Sequence, residues 1–348
     1  MYKRIHTSLL AVVIVLAAFA LSGKQSEQVV SAAPASSYDL LSALPASDFI
    51  ISVDTQRVLT EVIPTILVAQ PEARAQLEST LEMFKKDLGF DPRLVDAIAV
   101  GVNFNSQNLP GATFALIARG RFDANAAIES GLSHVTKESR GELTRQTNVY
   151  EGRTIHLLVP TTRTNTDNSP ANETEFKPSD QVMVFVALDS NTVAFGNMKS
   201  VRATIDASLG RGRIDDELVQ LSTHTPNAVV CFGGKVPPDV ARHMRLGNNE
   251  AGNNIASMKQ IYGSLNANGN DGEVLVNVRM ESNEDARQLT MALNALKFMA
   301  KIGASKDSAE RKSIEAMVDS LEVYAVNNEV QITARIALND LAPFIPKH

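Results

Sequence analysis

Two short apolar runs, separated by a stretch that contains Pro110 and Gly111, decide the fold. They read Ala97-Ile98-Ala99-Val100-Gly101-Val102 and Thr113-Phe114-Ala115-Leu116-Ile117-Ala118. Runs of this length, bounded by turn residues, are typical of two strands in a hairpin. Asp123 then occupies the position of a helix N-cap, before a segment that places Ile128 and Leu132 on one helical face. The stretch therefore predicts a hairpin followed by a helix.

Strands and helices alternate on both sides of this stretch. Asp54 or Thr55 caps a helix upstream, and a second upstream helix ends before Gly89. Further strands are predicted at residues 49–53, 149–159, 182–188 and 192–195. The first half of the chain is thus predicted to have the order β-α-β-β-α-β with an additional strand.

The second half repeats this order. An offset of 161 residues aligns Phe114 with Leu275, and an offset of 137 aligns Val193 with Val330. Few of the aligned residues are identical, so either an ancient duplication or ordinary α+β patterning explains the match. Duplication predicts an α+β fold of two ferredoxin-like (βαββαβ) pseudo-repeats, each with an antiparallel sheet and helices packed on one face. The two sheets would pair edge to edge or bury their open faces together.

The N-terminus has the composition of a secretory signal. Lys3 and Arg4 precede an unbroken apolar run at residues 9–21. As a helix, this run rises about 20 Å at ~1.5 Å per residue, less than the ~30 Å hydrocarbon core of a bilayer. We therefore expect residues 1–32 to be removed as a signal peptide, leaving a periplasmic or secreted chain. Lys24 stands where a lipoprotein needs a cysteine, so membrane contact is expected only through the signal segment, if it stays uncleaved.

The rest of the chain is predicted to form two units, with the boundary at Gly210. The first α+β unit is placed at residues 33–210 and the second at residues 211–348. Residues 161–180 are almost wholly polar and contain two prolines, which predicts a mobile loop within the first unit.

Composition limits the classes of partner. The formal net charge is −6 at pH 7, and an acidic chain argues against a nucleic-acid partner, because phosphate binding needs clustered Lys and Arg. The single cysteine, Cys231, lies in an apolar run and is predicted to be an inert core thiol. No intramolecular disulfide can form.

The sequence contains none of the local motifs that carry catalysis or metal binding. HExxH, GxSxG, SxxK, the P-loop and GxGxxG are all missing, and no two of the histidines after the signal segment are three or four residues apart. We therefore predict no catalytic, cofactor-binding or metal-binding residue, and no cofactor. Triads built from distant residues stay open, with His156 and Asp189, or His243 and Asp239, as the pairs to examine.

Two polar clusters have a functional and a plain interpretation. An oxygen-rich stretch resembles a calcium loop, but Asp271 replaces the required glycine and Asn277 the bidentate glutamate, so a turn is favoured. Its members are Asn266, Asn268, Asn270, Asp271 and Glu273. Arg211 and Arg213 would suit an anion, although a solvated linker is the favoured interpretation.

One phrase resembles known sequences. Residues 189–196, Asp-Ser-Asn-Thr-Val-Ala-Phe-Gly, followed by a helix, resemble uncharacterised families of exported bacterial proteins. The resemblance covers about half of the chain loosely, and it implies no active site.

These observations favour an exported, non-enzymatic binding or structural protein of the cell envelope. Its ligand would be a peptide, a protein or an apolar molecule, bound at an edge strand or in a cleft between the repeats. The alternatives are a hydrolase with dispersed catalytic residues and a protease-inhibitor or chaperone-like module, the latter by analogy of fold alone.

Overall fold

A computed structural model describes residues 40–104, 113–161, 182–237, 257–303 and 309–344. The predicted signal peptide, the polar loop from residue 162 onward, and the pair His243 and Asp239 lie outside the described residues. In the ranges given, no helix has both the length and the apolar character needed to cross a bilayer.

The described strands run as follows: β1 Phe49–Asp54, β2 Val95–Asn103, β3 Thr113–Gly120, β4 Leu143–Tyr150, β5 Arg153–Pro160, β6 Met183–Asp189, β7 Thr192–Gly196, β8 Val230–Lys235, β9 Met258–Asn268, β10 Asp271–Met280, β11 Glu322–Val326 and β12 Glu329–Ala337. The main helices are α1 Pro71–Leu88, α2 Ala124–Glu138, α3 Met198–Ser208, α4 Asp216–Ser222, α5 Asn283–Gly303 and α6 Ala309–Ser320. A shorter helical segment between β1 and α1 runs through Thr55–Arg57, Val58–Val62, Ile63–Ile66 and Leu67–Ala69.

Local side-chain contacts set several helix ends. Asp54 accepts a hydrogen bond from the Arg57 N–H (2.9 Å), and Asp123 accepts one from the Ala126 N–H (2.7 Å). Gly89 ends α1 with a φ of 62°, a left-handed conformation that glycine adopts without strain. The caps at Asp54 and Asp123 and the helix end at Gly89 confirm the sequence predictions.

All described strands belong to one antiparallel sheet. Its order is β11-β12-β10-β9-β8-β1-β2-β3-β7-β6-β5-β4. At the centre β1 pairs antiparallel with β8, so the strands of the two halves meet edge to edge. The mixed helix and sheet class is confirmed.

The strand order of one half recurs in the other. The order β1-β2-β3-β7-β6 corresponds to β8-β9-β10-β12-β11, and β5 and β4 are additional strands at one end. Backbone hydrogen bonds recur as well, because the Asp48 N–H donates to the Val102 carbonyl and the Val229 N–H to the Leu265 carbonyl, both at 2.9 Å. The ferredoxin-like description is not confirmed. A βαβ unit joins parallel strands through its helix, whereas β1 and β2, which flank α1, are antiparallel neighbours.

The strands of the two halves align one residue away from the predicted offset. Ala118 pairs with Val193, and Val278 pairs with Val330, so β3 and β10 correspond at an offset of 160 rather than 161. Because successive side chains of a strand alternate between faces, a shift of one residue exchanges the two faces. Leu275 therefore lies on the face away from α5. The helices keep the predicted offset of 161 residues. Ile128 and Leu132 of α2 pack against the back of the first half, and Leu289 and Leu293 of α5 pack against the back of the second half.

Helices cover both faces of the sheet, so the prediction of one covered face is wrong. We call the face under residues 40–44, α3 and α4 the front face, and the face under α1, α2 and α5 the back face. Strand β5 shows the reason, because Ile155 and Leu157 are buried in the front core and Leu158 in the back core. A strand that is apolar on both sides requires cover on both sides.

Candidate functional site

The first predicted pair, His156 and Asp189, is not brought together. His156 of β5 pairs with Phe185 of β6, and Asp189 lies four residues further along β6. At ~3.4 Å per residue, Asp189 is therefore about 13 Å from the position opposite His156. Nδ1 of the buried His156 lies 2.8 Å from Nη2 of Arg145, which also forms a bidentate ion pair with Glu129. Burial and then the Arg145 charge lower the pKa of His156. His156 is thus a neutral hydrogen-bond acceptor that helps to hold Arg145.

The single thiol is buried, as predicted. Cys231 lies on β8 opposite Ser52, and burial raises the pKa of its thiol. A protonated, buried thiol is a poor nucleophile. Its inertness stays a prediction.

The two polar clusters form internal contacts. Asn266 accepts a hydrogen bond from the Ala267 N–H (3.0 Å), and across the described ranges no three His, Cys, Asp or Glu side chains are placed to hold a metal ion together. Arg211 pairs with Asp206 (2.6 Å) and Glu151 (3.1 Å). The Arg211 charge is therefore balanced by two carboxylates.

Strand β4 forms one end of the sheet, and half of its backbone groups point away from its neighbour β5. The Thr161 N–H donates to the Glu142 carbonyl at 2.8 Å, which fixes even-numbered β4 residues as those bonded to β5. The turn between β4 and β5 agrees, because Glu151 (φ 51°) and Gly152 (φ 73°) form a two-residue hairpin loop of type I′. Odd-numbered residues consequently point their N–H and C=O groups away from the sheet. We call these outward groups of Arg145, Thr147 and Val149 the β4 edge.

No described residue pairs with the β4 edge. Val149 leaves 69% of its surface exposed, and Thr147 is also exposed. Proteins commonly protect such an edge with proline, with lysine or with a covering element. Strand β4 contains neither proline nor lysine.

Contacts at three positions hold β4 in place. At its start the Leu143 N–H donates to Ser139 Oγ (3.3 Å), and in the middle Arg145 is held by Glu129 and His156. At its end the Tyr150 hydroxyl donates to Asp206 (3.0 Å). The strand is thus fixed while its outer backbone stays accessible.

The opposite edge of the sheet, β11, is capped. Asn294 of α5 donates to the Val323 carbonyl (3.2 Å), and Lys297 donates to the Leu321 carbonyl. The two-residue turn at Asn327 and Asn328 makes odd-numbered β11 residues the outward ones. Side chains of α5 therefore occupy one outward carbonyl of β11 and the carbonyl of the residue just before it.

The front face differs between the two halves. In the first half one row across the strands is apolar and almost fully buried, and its members are Ala99, Ile117, Ala194 and Val186. The corresponding row in the second half is polar or aromatic, and its members are Tyr262, Asn277, Gln331 and Tyr324. Beside this row Arg279 donates to Glu329 (2.9 Å) and Gln260 (2.6 Å), and Gln260 donates to Glu217 of α4 (2.7 Å). This network satisfies its own charges and positions α4 on the sheet.

Sequence reasoning missed β4. It predicted one strand at residues 149–159, which the structure divides into two strands at the Glu151-Gly152 turn. Residues 143–150 are mostly polar on both faces, so they lack the alternation that reveals a half-buried strand. The glycine of the turn was the one available signal.

No protein-family model matches the chain, and no curated protein matches it. Three crystal forms of the protein TP0453 are similar in structure at 10% sequence identity. Form I aligns over 90% of this chain and 96% of that chain with a TM-score of 0.41, and form III over 90% and 98% with a TM-score of 0.42. Form IV aligns over 88% and 96% with a TM-score of 0.42. The function proposed below does not rest on this distant likeness.

Proposed function

We propose that this chain is an exported, non-enzymatic protein of the bacterial cell envelope that binds an extended polypeptide at the β4 edge. The bound segment would add one strand to the sheet, a mode of recognition known as β-augmentation. Export is supported by the signal-like composition of the N-terminus, and an exported chain would lie in the periplasm or outside the cell. The observation that carries the binding proposal is the outer backbone of β4, with which no described strand pairs.

The β4 edge offers the groups that strand addition uses. Three N–H donors and three C=O acceptors, from Arg145, Thr147 and Val149, are spaced at every second residue. Each backbone hydrogen bond contributes a net ~0.5–1.5 kcal/mol. The contacts at both ends of β4 reduce the entropy lost on binding, because the strand is already ordered.

The side chains along β4 favour a weakly charged partner segment. Gln146, Thr147 and Asn148 are uncharged and exposed, and the Arg145 charge is matched by Glu129. A partner strand rich in β-branched and polar residues would pack against this surface. Of the ligand classes open to the sequence, a peptide or protein segment therefore suits this edge better than an apolar small molecule.

The hydrolase alternative has less support among the described residues. His156 is buried, neutral and bonded to Arg145, and the Asp189 carboxylate accepts from the Asn191 N–H (2.9 Å). A general base must lie within hydrogen-bond reach of the group that it activates. These two residues are positioned for structure instead.

Site-specific photo-cross-linking in the native envelope tests the binding proposal. A photoreactive residue at Val149 should give a cross-linked product, and the same residue at Met83, exposed on α1, should not. The product should persist with Thr147→Ala, which keeps the backbone N–H, and disappear with Thr147→Pro, which removes it. A product that is unchanged by Thr147→Pro would show that strand addition is not the mode of binding.

A further inference from the structure

We propose that the occupant of the β4 edge is a second copy of this chain, with the two β4 strands paired antiparallel about a two-fold axis at Thr147. This inference rests on the proposed function, because it names the partner of the same edge. The two sheets would then continue into one another across the dimer.

Backbone geometry restricts how two β4 strands can pair. The new hydrogen bonds must join residues whose N–H and C=O groups point outward on both copies, and these are the odd-numbered residues. A symmetric pair centred on Thr147 sets Arg145 opposite the partner's Val149, and Val149 opposite the partner's Arg145. Three such residue pairs form six backbone hydrogen bonds.

The other two registers centred on an outward-pointing residue are less favourable. Centring the pair on Arg145 would place two guanidinium groups directly opposite each other, and like charges in this position destabilise a strand pair. Centring it on Val149 leaves only a short overlap, because the turn begins at Glu151. Of the registers centred on an outward-pointing residue, the Thr147 register is the longest, and it avoids a like-charge pair.

Side chains are complementary in the Thr147 register. One face brings Thr147 against the partner's Thr147 and covers the exposed Val149 with the aliphatic stem of the partner's Arg145. The other face sets Gln146 opposite the partner's Asn148, and these two amides can exchange hydrogen bonds. The Arg145 charge remains paired with Glu129. No unmatched charge is brought to the junction.

The molecule already contains a junction of this kind. Its two halves meet where β1 pairs antiparallel with β8, and the corresponding residues Ile51 and Phe232 lie opposite each other. The Asp54 N–H donates to the Val229 carbonyl and the Lys235 N–H to the Asp48 carbonyl, both at 2.8 Å, so the bonds on the two sides are equivalent. A β4 dimer would repeat this pseudo-symmetric contact with true symmetry.

Disulfide trapping tests the register with chains purified from the exported fraction. In the proposed pair, residues 146 and 148 of opposite copies are a non-hydrogen-bonded pair about 4.5 Å apart at Cα, within the range that a disulfide spans. A mixture of Gln146→Cys and Asn148→Cys chains should therefore cross-link at least about tenfold faster than either variant alone. Equal rates in the mixture and in the single variants would overturn the register.

Sedimentation velocity tests the dimer itself. Wild type and Thr147→Ala should show a concentration-dependent monomer–dimer equilibrium, whereas Thr147→Pro should stay monomeric with an unchanged circular dichroism spectrum. A wild-type chain that stays monomeric and does not cross-link in the cysteine mixture would overturn the self-pairing. If Val149 still gave a proline-sensitive product with another protein in the envelope, the proposed function would stand without it.

Discussion

Proline substitution at two adjacent positions of β4 should have very unequal consequences for stability. The Gln146 N–H points toward β5, where Gln146 pairs with the buried Leu157. Gln146→Pro removes this donor and leaves the Leu157 carbonyl without its partner, which costs about 1–3 kcal/mol before any clash of the ring is counted. The Thr147 N–H points outward and has no hydrogen-bond partner among the described residues. Thr147→Pro should therefore change the free energy of unfolding by less than about 1 kcal/mol. Proline also reduces the conformational freedom of the unfolded chain, and this effect offsets part of any strain in the folded strand.

Urea denaturation followed by circular dichroism measures the difference. Gln146→Ala and Thr147→Ala are the matched controls, because they remove the side chains and keep the N–H groups. Dilute protein should be used, so that dimer formation adds nothing to the wild-type value. Equal losses for the two proline variants would mean that another part of the chain pairs with β4. Both the binding proposal and the dimer would then be refuted.

Three further outcomes are expected. Below about pH 6.5 the free energy of unfolding should fall, because His156 has a lowered pKa in the folded protein and is protonated more readily in the unfolded chain. The variant His156→Gln should lose less stability when unfolding is measured at decreasing pH. Ile155→Ala should cost about 2–5 kcal/mol in thermal or urea unfolding because Ile155 is fully buried, whereas Val149→Ala, at an exposed site, should stay within ~0.5 kcal/mol. N-terminal sequencing of exported protein should find a start near Ala33, and recovery of residues 9–21 in a membrane pellet would show an anchor instead.

Local features of the fold were predictable from the sequence. Asp123 and Asp54 were identified as caps because a short side chain before a helix can bond its free N–H groups. The hairpin of β6 and β7 followed from the turn residues at 189–191 between two apolar runs. These signals lie within a few residues of the structure that they determine.

Relations between distant strands were not predictable. The pairing of β1 with β8 joins segments that no local pattern links, so one sheet could not be told from two. The one-residue error between Phe114 and Leu275 arose because apolar residues occur on both faces of β3 and β10, which leaves the register ambiguous. The candidate site was missed for a related reason, since an exposed edge strand such as β4 has no apolar face to reveal it.

The central position of β1 has a consequence for the order in which the chain can fold. Strand β1 ends at Asp54, but its neighbour β8 begins only at Val230, so the first half emerges with one side of a core strand open. An open, apolar strand edge invites pairing with other chains. We therefore expect chains truncated before residue 230 to aggregate, and full-length chains to need protection by a holding chaperone until β8 is available to pair with β1.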